Sequence, residues 1–177
     1  MMLKQIFKNI TGKKNVIKFP EGFQISPDKA AKMIGLQKKI HAVFGRSLRI
    51  RQVDAGSCNA CEWECTALTN PIYDIQRFGI DFVASPRHAD MLLITGPVSR
   101  QMELALEKTC LATPEPRIVV ACGDCAIDGG IYKGSYAVTN GVSNVIPVDC
   151  YIQGCPPNPM QIILGIKELM EHLKAKV

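Results

Sequence analysis

Eight cysteines carry the chemistry of this 177-residue chain: Cys58, Cys61, Cys65, Cys110, Cys122, Cys125, Cys150 and Cys155. Cys58–Cys61 and Cys122–Cys125 have C-x-x-C spacing, and Cys155 stands in G-C-P-P. Such thiols suit three chemistries. Two C-x-x-C pairs can hold a structural zinc ion in a tetrahedron of thiolates, although 60 residues lie between Cys61 and Cys122, far more than in a zinc ribbon. A lone C-x-x-C can act as a redox pair on a thioredoxin-like fold, which would not need the remaining cysteines on loops. An iron–sulfur cluster takes thiolate ligands and welcomes backbone N–H groups from glycine-rich loops. Gly56, Gly123 and Gly154 each lie one or two residues before a cysteine, and Pro156 and Pro157 stiffen the loop after Cys155. The cluster reading fits best. The spacing differs from a small ferredoxin, where three ligands crowd into one run, so the eight cysteines do not point to two clusters.

These cysteines must be positioned by an alternation of strands and helices. Residues 27–44 read as a helix with Ile34, Leu36, Ile40, Val43 and Phe44 on one side. LRIRQVDA (48–55) alternates like a half-buried strand and runs into GSCNACEWEC, with a helix starting near residue 60. Strands are expected over 80–86 and 89–97, a helix over 98–112, a buried strand over RIVVACGDCA, a strand over 145–152 and a last helix over 159–174. This order implies a parallel, doubly wound sheet. Three cysteine-bearing loops directly follow strands. In such a sheet, loops at the carboxyl ends of the strands gather at one edge, where ligands bind, so the topology predicts a shared site.

Composition narrows the function classes. The chain is 47% hydrophobic with 14 Gly and 11 Pro, as in a compact α/β domain. The net charge of +5 comes without the aromatic clustering of a nucleic-acid binder, since aromatics make up 6%. No run reaches the roughly 20 apolar residues of a membrane span, and the basic start lacks a secretory signal's features. In a cytoplasmic setting the cysteines read as ligands or reduced thiols, not disulfides. Residues 1–25 mix apolar residues with lysines and are expected to form an arm that docks on a partner or membrane surface, ahead of an iron–sulfur α/β domain over 26–177.

The segments GSCNACEWE, GDCAIDGG and GCPPNP, in this order, resemble the small electron-transfer subunit of nickel–iron hydrogenases, a family that also occurs in respiratory complex I. The resemblance covers roughly residues 48–172. It implies a flavodoxin-like fold and one proximal 4Fe–4S cluster on Cys58, Cys61, Cys125 and Cys155. Complex I carries two adjacent cysteines at the first motif. The C-x-x-C found here resembles the membrane-bound, energy-converting hydrogenases and their sulfur-reducing relatives more closely. Three-cluster small subunits continue into a second cysteine-rich domain, and this chain stops soon after GCPPNP, so a single cluster is expected.

The resemblance further implies a nickel–iron-type large subunit, a ferredoxin-like two-cluster donor subunit and integral membrane subunits, with the chain peripheral on the cytoplasmic side of the membrane. It also makes Glu62 a candidate for a proton path or a contact to the large subunit. It gives Arg87 and His88 a place facing the cluster, where a cation would couple electron to proton transfer. Each has a plainer reading, Glu62 as a helix-start acid and Arg87 and His88 as loop residues. Cys122 continues an apolar strand and reads as a buried thiol, as do Cys65, Cys110 and Cys150. Trp63 reads as an interface residue. A related complex reducing sulfur compounds or quinone, and a zinc-stabilised binding module, remain the alternatives.

Overall fold

The computed structural model describes residues 27–173, with side chains from residue 35 onward. The expected arm over 1–25 lies outside the described residues. The architecture below belongs to the unit that begins at Lys32.

The strands are β1 (Leu48–Asp54), β2 (Ile80–Phe82), β3 (Met91–Thr95), β4 (Ile118–Cys122) and β5 (Cys150–Ile152). They form one sheet in the order β2-β1-β3-β4-β5, with all four pairings parallel. That order is the flavodoxin-like, doubly wound arrangement. The helices are α1 (Pro27–Phe44), α2 (Ala60–Ala67), α3 (Arg100–Ala112), the short α4 (Asp124–Asp128) and α5 (Pro159–His172).

Both faces of the sheet are covered, which explains why β3 and β4 are buried at every position. Leu48, Ile50, Leu93, Val120 and Cys122 point into one core layer with Cys65 of α2 and Ile162, Ile163 and Ile166 of α5. Val53, Leu92, Ile94, Val119 and Ala121 point into the other, with Leu106 and Cys110 of α3. Each fully buried isoleucine or leucine stabilises the fold by about 1.5–3 kcal/mol. Helix α5 starts on a capping box: the Asn158 side chain accepts from Gln161 N, and the Gln161 side chain accepts from Asn158 N. It packs closely on β5, since a Cβ at Gly165 would stand 2.9 Å from Ile152 Cγ1.

Two strands are shorter than the sequence suggests. β2 stops at Phe82 because Pro86 opens a 3₁₀ turn over Pro86–His88. The strand expected over 145–152 is reduced to Cys150–Ile152, after a 3₁₀ turn at Val142–Asn144. Pro147 has no N–H for a ladder, and Val142 and Ile146 pack into the α3-side core instead.

Candidate metal centre

Asp54, Thr95 and Cys122 stand in register at the carboxyl ends of β1, β3 and β4, with Ile152 of β5 paired to Cys122. Cys58, Cys61, Cys125 and Cys155 all follow these ends, so the three loops share one edge of the sheet. The first loop is shaped by Asp54, whose Oδ1 accepts from Gly56 N at 2.8 Å and Ser57 N at 2.9 Å. Asn59, in the left-handed region with φ 66°, then turns the chain into α2, which carries Cys61 in its first turn. The second and third loops are tied together. Gly123 N donates to Ile152 O, Asp124 N donates to Gly154 O, and Gly154 N donates to Asp124 Oδ1, at 2.8, 2.9 and 2.8 Å.

The loops meet at Gly123. A Cβ there would lie 2.6 Å from Cys61 Sγ and 3.5 Å from Gly154 O, and its φ of 93° is itself a glycine conformation. Cys61 and Cys125 are buried, while Cys58 and Cys155 are exposed. Burial pushes the Cys61 thiol up to about 12, helped by Glu62 and by the neighbouring thiols of Cys65, Cys125 and Cys58. Cys125 is pushed up by burial first and then by the charges of Cys155 and Cys58. Cys61 therefore lies within electrostatic reach of Cys65, Cys125 and Cys58, and Cys125 within reach of Cys155 and Cys58. Among the described residues, no group of three or more His, Cys, Asp or Glu side chains is placed to hold a single metal ion.

The donor set fits a cluster: four soft thiols on three loops, two at the protein boundary, and glycines where the backbone must come close. The other cysteines sit elsewhere. Cys122 and Cys65 are both buried in the α5-side core. The Cys65 thiol beside Cys122, together with burial, pushes Cys122 well above the ordinary thiol range. Cys110 lies on the buried face of α3, and Cys150 is half-buried on β5.

Glu62 lies on α2 directly after Cys61, and both carboxylate oxygens are buried with no hydrogen-bond partner. The expectation that Arg87 and His88 face the cysteines is corrected. Both lie in the 3₁₀ turn before β3, beside Arg46, Arg49 and Asp90, in a cavity of about 410 Å³. These residues precede parallel strands, so they occupy the amino-terminal edge, opposite the thiols. Sequence reasoning names Gly123 among the glycines beside the cysteines but not its contact with Cys61, and it misses Arg51 of β1, whose Nε is buried without a partner. Trp63 is 73% exposed beside Cys61.

Comparison with known proteins agrees with the fold. The model of the family described as NADH ubiquinone oxidoreductase, 20 kDa subunit, matches residues 58–169. Formate hydrogenlyase subunit 7 of Escherichia coli is 37% identical over 96% of this chain, which spans 65% of that relative's length. The probable membrane-bound hydrogenase subunit mbhJ of Pyrococcus furiosus is 40% identical over 78% of this chain and 84% of its own. Among solved structures, a chain of the membrane-bound sulfane sulfur reductase, an archaeal respiratory membrane complex, superposes with a TM-score of 0.63 at 35% identity, over 81% of this chain and 75% of that one. A chain of an NAD+-reducing [NiFe]-hydrogenase shares the fold, with a TM-score of 0.56 at 20% identity over 75% of this chain and 96% of that one.

Proposed function

The chain belongs to the NADH ubiquinone oxidoreductase 20 kDa subunit family, and from that premise we propose that it is the electron-transfer subunit of a membrane-bound hydrogenase, holding one 4Fe–4S cluster on Cys58, Cys61, Cys125 and Cys155. The observation that carries this reading is the convergence of those four thiols, from three separate loops, on one sheet edge. The relatives named as hydrogenase and hydrogenlyase subunits support the choice of complex.

The cluster would supply one-electron redox chemistry. The chain's own residues do the rest. The three loops fix the ligands, Gly123 and Gly154 let backbone approach, and buried Cys61 and Cys125 exclude water from the inner side of the site. Exposed Cys58 and Cys155 keep the outer side near the surface, where a partner brings its own redox centre within reach. The unpartnered carboxyl of Glu62, directly after Cys61, supports a role in proton transfer. Electrons enter from a ferredoxin-like two-cluster subunit and leave to a nickel–iron large subunit. Integral membrane subunits anchor the assembly on the cytoplasmic side, a reading supported by the likeness to subunits of membrane-bound complexes; no helix among the described residues is long and apolar enough to cross a membrane.

The test is reduction by hydrogen. In the purified complex, hydrogen gas should reduce this chain's cluster and produce an electron paramagnetic resonance signal. A cluster that responds to dithionite but never to hydrogen would remove the hydrogenase assignment. The likeness to the sulfane sulfur reductase favours a second reading, in which the large subunit reduces sulfur compounds. Oxidation of the reduced cluster by polysulfide, with no response to hydrogen, would select it.

A further inference from the structure

We propose that the turn after Cys125 raises the reduction potential of the cluster, because it aims the Ile131 N–H at Cys125 Sγ and Asp128 holds it there. The proposal rests on the four-cysteine cluster reading and adds the control of its potential.

The stretch from Asp128 to Lys133 folds back over Cys125 instead of leading away from it. Gly129 N donates to Cys125 O at 3.0 Å. Gly129 and Gly130 take φ of 93° and 50°, which reverses the chain at a cost only glycine escapes. Gly130 is pressed on the ligand itself. A Cβ there would lie 2.9 Å from Cys125 Sγ and 3.1 Å from Cys125 N. Asp128 fastens the turn: its Oδ1 accepts from Gly130 N at 3.0 Å and its Oδ2 from Lys133 Nζ at 2.9 Å.

Each backbone donor of this turn has an assigned acceptor. Gly129 N is spent on Cys125 O, Gly130 N on Asp128 Oδ1, Tyr132 N on Gly129 O and Lys133 N on Gly130 O. The Ile131 N–H donates to the Cys125 sulfur. One electron added to a thiolate-held cluster puts negative charge on its sulfurs and neither makes nor breaks a bond. An N–H already aimed at one of those sulfurs stabilises the reduced form more than the oxidised one, which raises the potential. Ile131 is 78% exposed while Cys125 is 7% exposed. The contact belongs to the backbone, and its test must spare the side chain. Asp128 is a positioning residue, acting through Gly130 on the direction of the next N–H.

The test uses the complex purified with this chain at full length, reduced stepwise by dithionite with redox mediators and followed by electron paramagnetic resonance. Replacing the Ile131 amide by an ester, with the matching hydroxy acid inserted at position 131, removes the N–H and keeps the side chain. The cluster should become harder to reduce by at least about tenfold, which is about 59 mV for one electron. Ile131→Val keeps the N–H and should leave the potential unchanged. Asp128→Ala should titrate below Asp128→Asn, because both lose the charge and only the amide keeps an acceptor for Gly130 N. If the ester protein does not assemble, pulsed resonance on the parent complex decides. Labelled with nitrogen-15 isoleucine, its reduced cluster should couple to a nitrogen that Ile131→Val removes. An ester protein with the parent potential, or the absence of that coupling, overturns the proposal while the cluster reading stands. Equal potentials in the two Asp128 variants overturn the positioning role. If Cys125→Ser removes no signal of the reduced complex, the cluster reading fails and the proposal with it.

Discussion

The Cys61 thiol lies against the backbone of Gly123, so that a side chain added at Gly123 would begin 2.6 Å from Cys61 Sγ. Through this approach α2, which follows β1, touches the loop that follows β4, across the end of β3. Gly123→Ala therefore acts on the site directly. It should abolish cluster incorporation, because both the φ of 93° and the space forbid a Cβ. Iron analysis of the purified variant checks this, with circular dichroism to show that the fold persists. Full iron content would mean that the loops do not meet as described.

Cys125 and Cys122 divide the second C-x-x-C between site and core. Cys125→Ser should remove the electron paramagnetic resonance signal of the reduced cluster. Cys122→Ser should keep it and destabilise the fold by about 1–3 kcal/mol, because it puts a hydroxyl beside Cys65 in an apolar layer. Denaturant titration gives the second number. Loss of the signal only in Cys122→Ser would reverse the ligand choice.

The cluster-free chain should weaken in alkali. Cys61 rises from 9.0 to about 12, first by burial and then by Glu62 and the nearby thiols. The fold therefore favours the neutral thiol. The stability this contributes is complete below about pH 9 and is lost as the pH climbs through about 12. The urea midpoint should fall across that window, and fall less in Cys61→Ala. Equal falls in both proteins would place the titration elsewhere.

Glu62→Gln keeps the shape of the side chain and removes its proton chemistry. In the complex it should slow turnover by about 10²-fold, with the cluster signal and iron content intact. Turnover equal to the parent protein would show that the buried carboxyl beside Cys61 takes no part in the proton path.

Much of this was legible in the sequence. Glycine-led cysteine loops after apolar strands announced a shared edge, and the order of strands and helices announced the parallel sheet. The apolar rows of α5 and β3 were visible as periodicity. The extent of β5 was not, because Val145, Ile146 and Val148 read as strand while Pro147 removes a ladder donor and the fold uses the side chains in the α3-side core. The family resemblance turns Arg87 and His88 toward the cluster, whereas a residue just before a parallel strand belongs at its amino-terminal end. The unmet state of Arg51 and Glu62 could not be read at all, since it depends on what every neighbouring side chain already bonds.

Whether four cysteines hold one 4Fe–4S cluster is decided by metal analysis of the purified chain. About four irons and four acid-labile sulfides per chain are expected, lost together in Cys125→Ser and in Cys155→Ser. A colourless protein with one zinc per chain and no labile sulfide would contradict it.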